Sequence, residues 1–135
     1  MPMLIDPIDQ IARQKQRDVL YVVFDDPDHH DFGAEFDWKN CKNRQQVIAW
    51  FNEQAIQYQP CFQVWSNGLL QCSYRGQLYI NVPFETDNDL YKKLEAYFEN
   101  TDGSMKNPEI TFCYLPLEIA MKNAHHDKEG YWDNW

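Results

Sequence analysis

Long hydrophobic runs are missing from this sequence. The longest, Val19-Leu-Tyr-Val-Val-Phe24, is the size of one strand, far short of the roughly 18–20 apolar residues of a membrane helix. Glycine is scarce, at 5 of 135 residues, and proline is limited to 7. Collagen-like and low-complexity chains are thereby excluded. No two of Cys41, Cys61, Cys72 and Cys113 form a C-x-x-C pair, which argues against a structural zinc site and a thioredoxin-type centre. There is no G-x-S-x-G elbow and no phosphate-cradling glycine loop. Each glycine, from Gly33 to Gly130, reads better as part of a turn. Cations are short as well: 12 Lys and Arg stand against 21 Asp and Glu, a net charge of −9. Such a chain repels phosphate backbones, so direct nucleic-acid binding is not expected, whereas basic partners are attracted.

The N-terminal Met1-Pro-Met-Leu-Ile-Asp-Pro7 carries no basic stretch ahead of an apolar one, unlike a secretory signal. Four widely spaced cysteines suit reduced thiols, so the expected compartment is the cytoplasm, with no membrane association. The length fits one domain, 1–135, able to bury about two-thirds of its unfolded surface without disulfide or metal staples.

What the sequence has is apolar periodicity and aromatics, the latter at 16%. Ile5, Ile8, Ile11 and Ala12 recur at helical spacing and predict a helix over 6–17. Residues 18–24 read as a strand apolar on both faces, hence central and covered on both sides. A second helix is expected over 43–58, with Asn43 as cap, Val47, Ile48, Phe51, Ala55 and Tyr58 as its stripe, and Pro60 as its stop. Asn67-Gly68 is a hairpin signal between strands at 61–66 and 69–75. A third strand over 77–82 would complete a meander, with Leu78, Ile80 and Val82 on the core face. A helix over 87–100, capped by Thr86 or Asp87, a strand over 109–115 and a short helix over 116–124 follow. The tail 125–135 looks irregular. The order α-β-α-β-β-β-α-β-α contains the split β-α-β-β-α-β, or ferredoxin-like, plan. The expected class is therefore α+β: a sheet of about five mostly antiparallel strands with additional N- and C-terminal helices.

Chemistry-bearing residues concentrate after the first strand. Asp25, Asp26, Asp28, Asp31, Glu35 and Asp37 are interleaved with Phe36 and Trp38. Carboxylates around aromatics suit a basic protein surface, charge steering the encounter and aromatics anchoring it. Within the same segment Asp25, Asp28, His29 and Asp31 offer oxygen and imidazole donors for a divalent metal. Their spacing matches neither the H-E-x-x-H helix nor the calcium loop. A second His-His-Asp, at 125–127, repeats the tripeptide at 29–31. A third feature is the aromatic sheet face of Trp65, Tyr74 and Tyr79, which would either be covered by a terminal helix or meet a partner.

The resulting expectation is a small acidic non-catalytic binding protein for a basic macromolecular partner. An inhibitor of immunity or antitoxin type, covering the cationic active site of a nuclease, is its sharpest form. No cofactor is expected. Two alternatives stand beside it: a metal-dependent hydrolase using the Asp/His loop 25–31, and a subunit of a larger assembly that binds through the aromatic sheet face.

Overall fold

The structure, a computed structural model, describes residues 6–25, 38–61 and 76–127. Among these the chain is α+β, with four helices and an open four-stranded antiparallel sheet. Strand β1 (Val19–Phe24) follows helix α1 (Ile8–Lys15). A 3-10 turn (Trp38–Asn40) leads into α2 (Lys42–Glu53), then β2 (Tyr58–Pro60), β3 (Leu78–Ile80), α3 (Asp89–Phe98), β4 (Ile110–Leu115) and α4 (Leu117–Met121). A second 3-10 turn spans Ala124–Asp127. The strands lie in the order β2-β3-β1-β4. The expected Asn67-Gly68 hairpin, Trp65, Tyr74 and the tail beyond 127 lie outside the described residues.

Register explains the role of each strand. Asp25 N–H donates to the Glu109 carbonyl at 2.8 Å, and Phe24 sits opposite Ile110. Odd-numbered β1 residues therefore bond to β4, and even-numbered ones to β3. On the far side of β3, Cys61 N–H donates to Gln77 O and Asn81 N–H to Gln57 O. Gln59 and Tyr79 thus form a bonded pair, while Pro60 opposite Leu78 does not. The Pro60 nitrogen faces away from β3, where its missing N–H costs no ladder bond. Pro60 therefore belongs to a strand rather than stopping a helix, a correction to the sequence reading.

Helix α2 ends at Glu53, five residues before the expected end at Tyr58. Ala55 turns left-handed at φ 58, with Ala55 N–H to Asn52 O at 3.3 Å and Ile56 N–H to Phe51 O at 2.8 Å. These two bonds make a Schellman stop, and the accompanying apolar contact joins Phe51 and Ile56, both buried. Glycine usually occupies that position, so the signal was invisible. Helix α1 stops similarly at Gln16, φ 53, whose side-chain amide donates to the Arg13 carbonyl at 2.6 Å. The α3 cap is Asn88, whose Oδ1 accepts from Tyr91 N–H at 3.0 Å, rather than Thr86 or Asp87. Asn43 does not cap α2; its Nδ2 donates to Glu109 Oε2 at 2.6 Å.

Both sheet faces are covered. Leu20, Val22, Phe24, Leu78, Ile80 and Val82 meet Val47 and Phe51 of α2 and Leu94 and Phe98 of α3. Trp50 and Tyr97 stack in parallel between those helices, ring centres 3.9 Å apart. On the opposite face Val19, Tyr21 and Tyr79 pack with Ile8, Ile11 and Ala12 of α1 and Ala120 of α4. Every apolar side chain of β1 except the half-buried Val23 is buried, as expected of a central strand covered twice. Helix α4 is fastened by two links: Asp18 Oδ1 accepts from Leu117 N–H at 2.7 Å, and Arg13 Nη1 donates to Ala120 O at 2.9 Å. Among the described residues, no helix is long and apolar enough to cross a membrane.

Candidate functional site

The two ends of the sheet differ in chemistry. At the end where β1 finishes and β4 begins, Asp25 is exposed and Glu109 half-buried. Their backbones are joined by the Asp25 N–H to Glu109 O bond. Asn43 Nδ2 holds the Glu109 carboxylate, and Asn107 Nδ2 donates to Asn43 Oδ1 at 3.1 Å. Asn107 Oδ1 in turn accepts from Glu109 N–H at 2.9 Å. Three neutral or acidic side chains from α2 and the β4 approach are thereby locked together, and no cation enters those bonds. Further along β4, burial raises the Cys113 thiol, a hydrogen bond with Tyr21 opposes the rise, and the Asp25 charge adds a smaller push upward.

The acid-rich segment leaves β1 directly from this end. Of its predicted binding residues, Asp25 is described, and Trp38 opens the 3-10 turn before α2. Asp26, Asp28, Asp31, Glu35, Phe36 and Asp37 lie outside the described residues, as does His29. Of the four candidate metal ligands only Asp25 is therefore placed. Among the described residues no three His, Cys, Asp or Glu side chains form a group able to hold a metal.

Tyr79 requires a correction. Its side chain is 2% exposed, packed in the cluster under α1 and α4, and it is not an anchor open to a partner. Burial of a phenol is tolerable because its hydroxyl is bonded: it donates to Asn81 Oδ1 at 3.0 Å and accepts from Arg17 Nη2 at 3.3 Å. Trp65 and Tyr74, the other members of the predicted face, lie outside the described residues.

The Tyr79 hydroxyl leads to a second feature, at the opposite end of the sheet. Arg17 Nη2 also donates to Asn81 Oδ1 at 2.8 Å, and Asn81 Nδ2 donates to Gln57 Oε1 at 2.9 Å. Tyr79, Asn81 and Gln57, but not Arg17, line an open cleft of about 500 Å³ whose walls also include Lys15, Asn52, Tyr58 and Gln59. The C-terminal ends of α1 and α2 frame it, each turned by a left-handed non-glycine residue, Gln16 and Ala55. Six residues of β1 separate the acidic end from this cleft, about 20 Å at the usual strand rise. Sequence reasoning missed the cleft. Its trace is the amide-rich run of Asn52, Gln54, Gln57 and Gln59.

Comparisons with protein-family models, curated proteins and solved structures gave no match.

Proposed function

We propose that this chain is a non-catalytic binding domain that recognises a basic protein through the acidic end of its sheet. The observation that carries the reading is the position of Asp25. It is exposed at the end of β1, beside the held Glu109 carboxylate, where the segment bearing Asp26, Asp28, Asp31, Glu35 and Asp37 departs. A net charge of −9 adds long-range attraction for a cationic surface. Phe36 and Trp38 supply the aromatic anchors that hold such a surface once it has arrived. Inhibition of a nuclease toxin by covering its cationic active site, in the cytoplasm, is the specific form of this reading. The core is read as the split β-α-β-β-α-β, ferredoxin-like plan, supported by the strand order β2-β3-β1-β4 and its antiparallel pairs. That plan hosts many functions, so the reading rests on charge and not on topology.

The test is capture from the native host at low salt, identification of the partner by mass spectrometry, and titration of the purified pair. Expected is a basic protein at one-to-one stoichiometry whose affinity falls steeply with salt. Reversal of Asp25, Asp26, Asp28 and Asp31 to Lys should weaken it by at least about a hundredfold. An affinity indifferent to salt and to these reversals would overturn the reading, as would failure to capture any basic protein.

A further inference from the structure

We propose that the cleft framed by the C-terminal ends of α1 and α2 binds a small neutral polyol, a ligand of the size of a mono- or disaccharide. The site stands at the other end of the sheet from the acidic surface and does not rest on that reading. Its volume of about 500 Å³ lies in the range of small-molecule pockets. Four primary amides line it, those of Asn52, Gln57, Gln59 and Asn81. In a chain with 21 acidic residues, none of the described lining residues is Asp or Glu, and Lys15 is the one cation among them.

Strand register brings the amides together. Gln59 lies opposite Tyr79 in the β2–β3 ladder, and Asn81 N–H donates to Gln57 O. Gln57, Gln59, Tyr79 and Asn81 therefore share one face of the sheet, as alternate strand residues do. A chain of hydrogen bonds then orients two of the amides. Asn81 Oδ1 accepts from Tyr79 Oη at 3.0 Å and from Arg17 Nη2 at 2.8 Å, and Asn81 Nδ2 donates to Gln57 Oε1 at 2.9 Å. With both amide oxygens occupied, Gln57 keeps two N–H donors and Asn81 keeps one. Asn52 and Gln59 are exposed, and their side chains make no hydrogen bond among the described residues, so each offers a donor and an acceptor. Further acceptors are the last carbonyls of α1 and α2, which lack intrahelical partners and carry partial negative charge. A ligand here must donate and accept side by side. A carboxylate or phosphate only accepts, and the helix ends repel it. An ammonium only donates, and Lys15 repels it. A hydroxyl does both, and several on one neutral molecule satisfy the mixed lining without leaving a charge unpaired.

The test is an NMR titration of the ¹⁵N-labelled chain with neutral sugars: glucose, galactose, mannose, N-acetylglucosamine, maltose, lactose, sucrose and trehalose. Sodium succinate and putrescine serve as the anionic and cationic comparators. Expected from at least one sugar are saturating shifts with a Kd of about 10 mM or tighter, on the backbone amides around the lining residues, at 15–17, 52–59 and 79–81. Gln57→Leu should weaken that sugar by about tenfold, as loss of its hydrogen bonds does, and Gln59→Leu by a few-fold. Both side chains are exposed, so the chain should stay folded in each variant; if Gln57→Leu unfolds it, Gln59→Leu decides. Failure of every sugar to saturate would overturn the proposal. So would an equal or tighter response to succinate or putrescine at the same amides, or a sugar affinity indifferent to the substitutions.

Discussion

The Asp9 carboxylate lies 3.3 Å from the Arg13 guanidinium one helical turn away, and both side chains are only 4% exposed. The pair sits on the face of α1 that meets α4, and Arg13 extends the link by donating to Ala120 O. Removing one member strands a buried charge, which costs about 3–5 kcal/mol. Asp9→Asn and Arg13→Met are each expected to lose stability on that scale in urea denaturation. The double variant Asp9→Leu/Arg13→Met is expected to recover most of it, because no charge is then left buried. Amide exchange separates the two singles. Arg13→Met should speed exchange in α4, whose tie to α1 it cuts, more than Asp9→Asn does.

The edge of the sheet has its own guard. Phe112 lies opposite Val22 at a position that does not bond to β1, so its N–H points outward from the last described strand. Met105 Sδ accepts that N–H at 3.5 Å. An uncovered edge invites pairing with another chain, and Tyr114, two residues on, is 52% exposed. Met105→Ala is expected to cost about 1 kcal/mol and to speed exchange of the Phe112 amide roughly tenfold. Concentration-dependent association in sedimentation should rise alongside. Unchanged exchange would show that sulfur contributes nothing to the edge.

Burial pushes the Tyr91 hydroxyl up to about 12 from its ordinary 10.0, helped by its bond to Glu95 and by the charges of Glu95 and Glu99. The folded state keeps this proton where the unfolded chain would lose it, so folding takes up a proton in that range. This contribution is fully present below pH 10 and is lost as pH rises toward about 12. Tyr91→Phe should flatten part of the alkaline fall in denaturation midpoint; Tyr97 and the Cys61 and Cys113 thiols, all raised chiefly by burial, act in the same sense. Glu99 obeys the same sign in acid. Burial and the Glu95 charge lift its carboxyl above 4.5, so stability falls as pH climbs through the raised value. Glu99→Gln should remove that fall.

What could be read from the sequence was whatever burial writes into it. The apolar residues on both sides of β1 announced a strand covered twice, and α1 and α4 do cover its second face. Alternation in 78–82 marked Leu78, Ile80 and Val82 as core, and they are buried with α2 and α3. Features fixed by backbone geometry left no such trace. Strand β2 is three residues long and contains a proline, which periodicity cannot register. The cleft brings Lys15 together with Asn52, Gln57 and Asn81, residues far apart in the chain, and no local pattern encodes that. Asp9 and Arg13 have the spacing of an ordinary surface pair, and α4, tied to Arg13 through the Ala120 carbonyl, packs beside them in the fold.

Ala55 holds a left-handed conformation at φ 58, which costs a residue with a Cβ about 1–2 kcal/mol. Gln16 adopts the same conformation but gains a hydrogen bond to the Arg13 carbonyl. Ala55 has no side-chain group to gain one, and its methyl is exposed, so little packing would be lost with it. Glycine relieves the strain but adds freedom to the unfolded chain, worth about 0.4–1 kcal/mol in the opposite sense. Ala55→Gly is therefore expected to raise stability by about 0.5–1 kcal/mol, seen as a higher denaturation midpoint with an unchanged slope. A fall in the midpoint would mean that the Cβ shapes the wall of the cleft and supports the turn there.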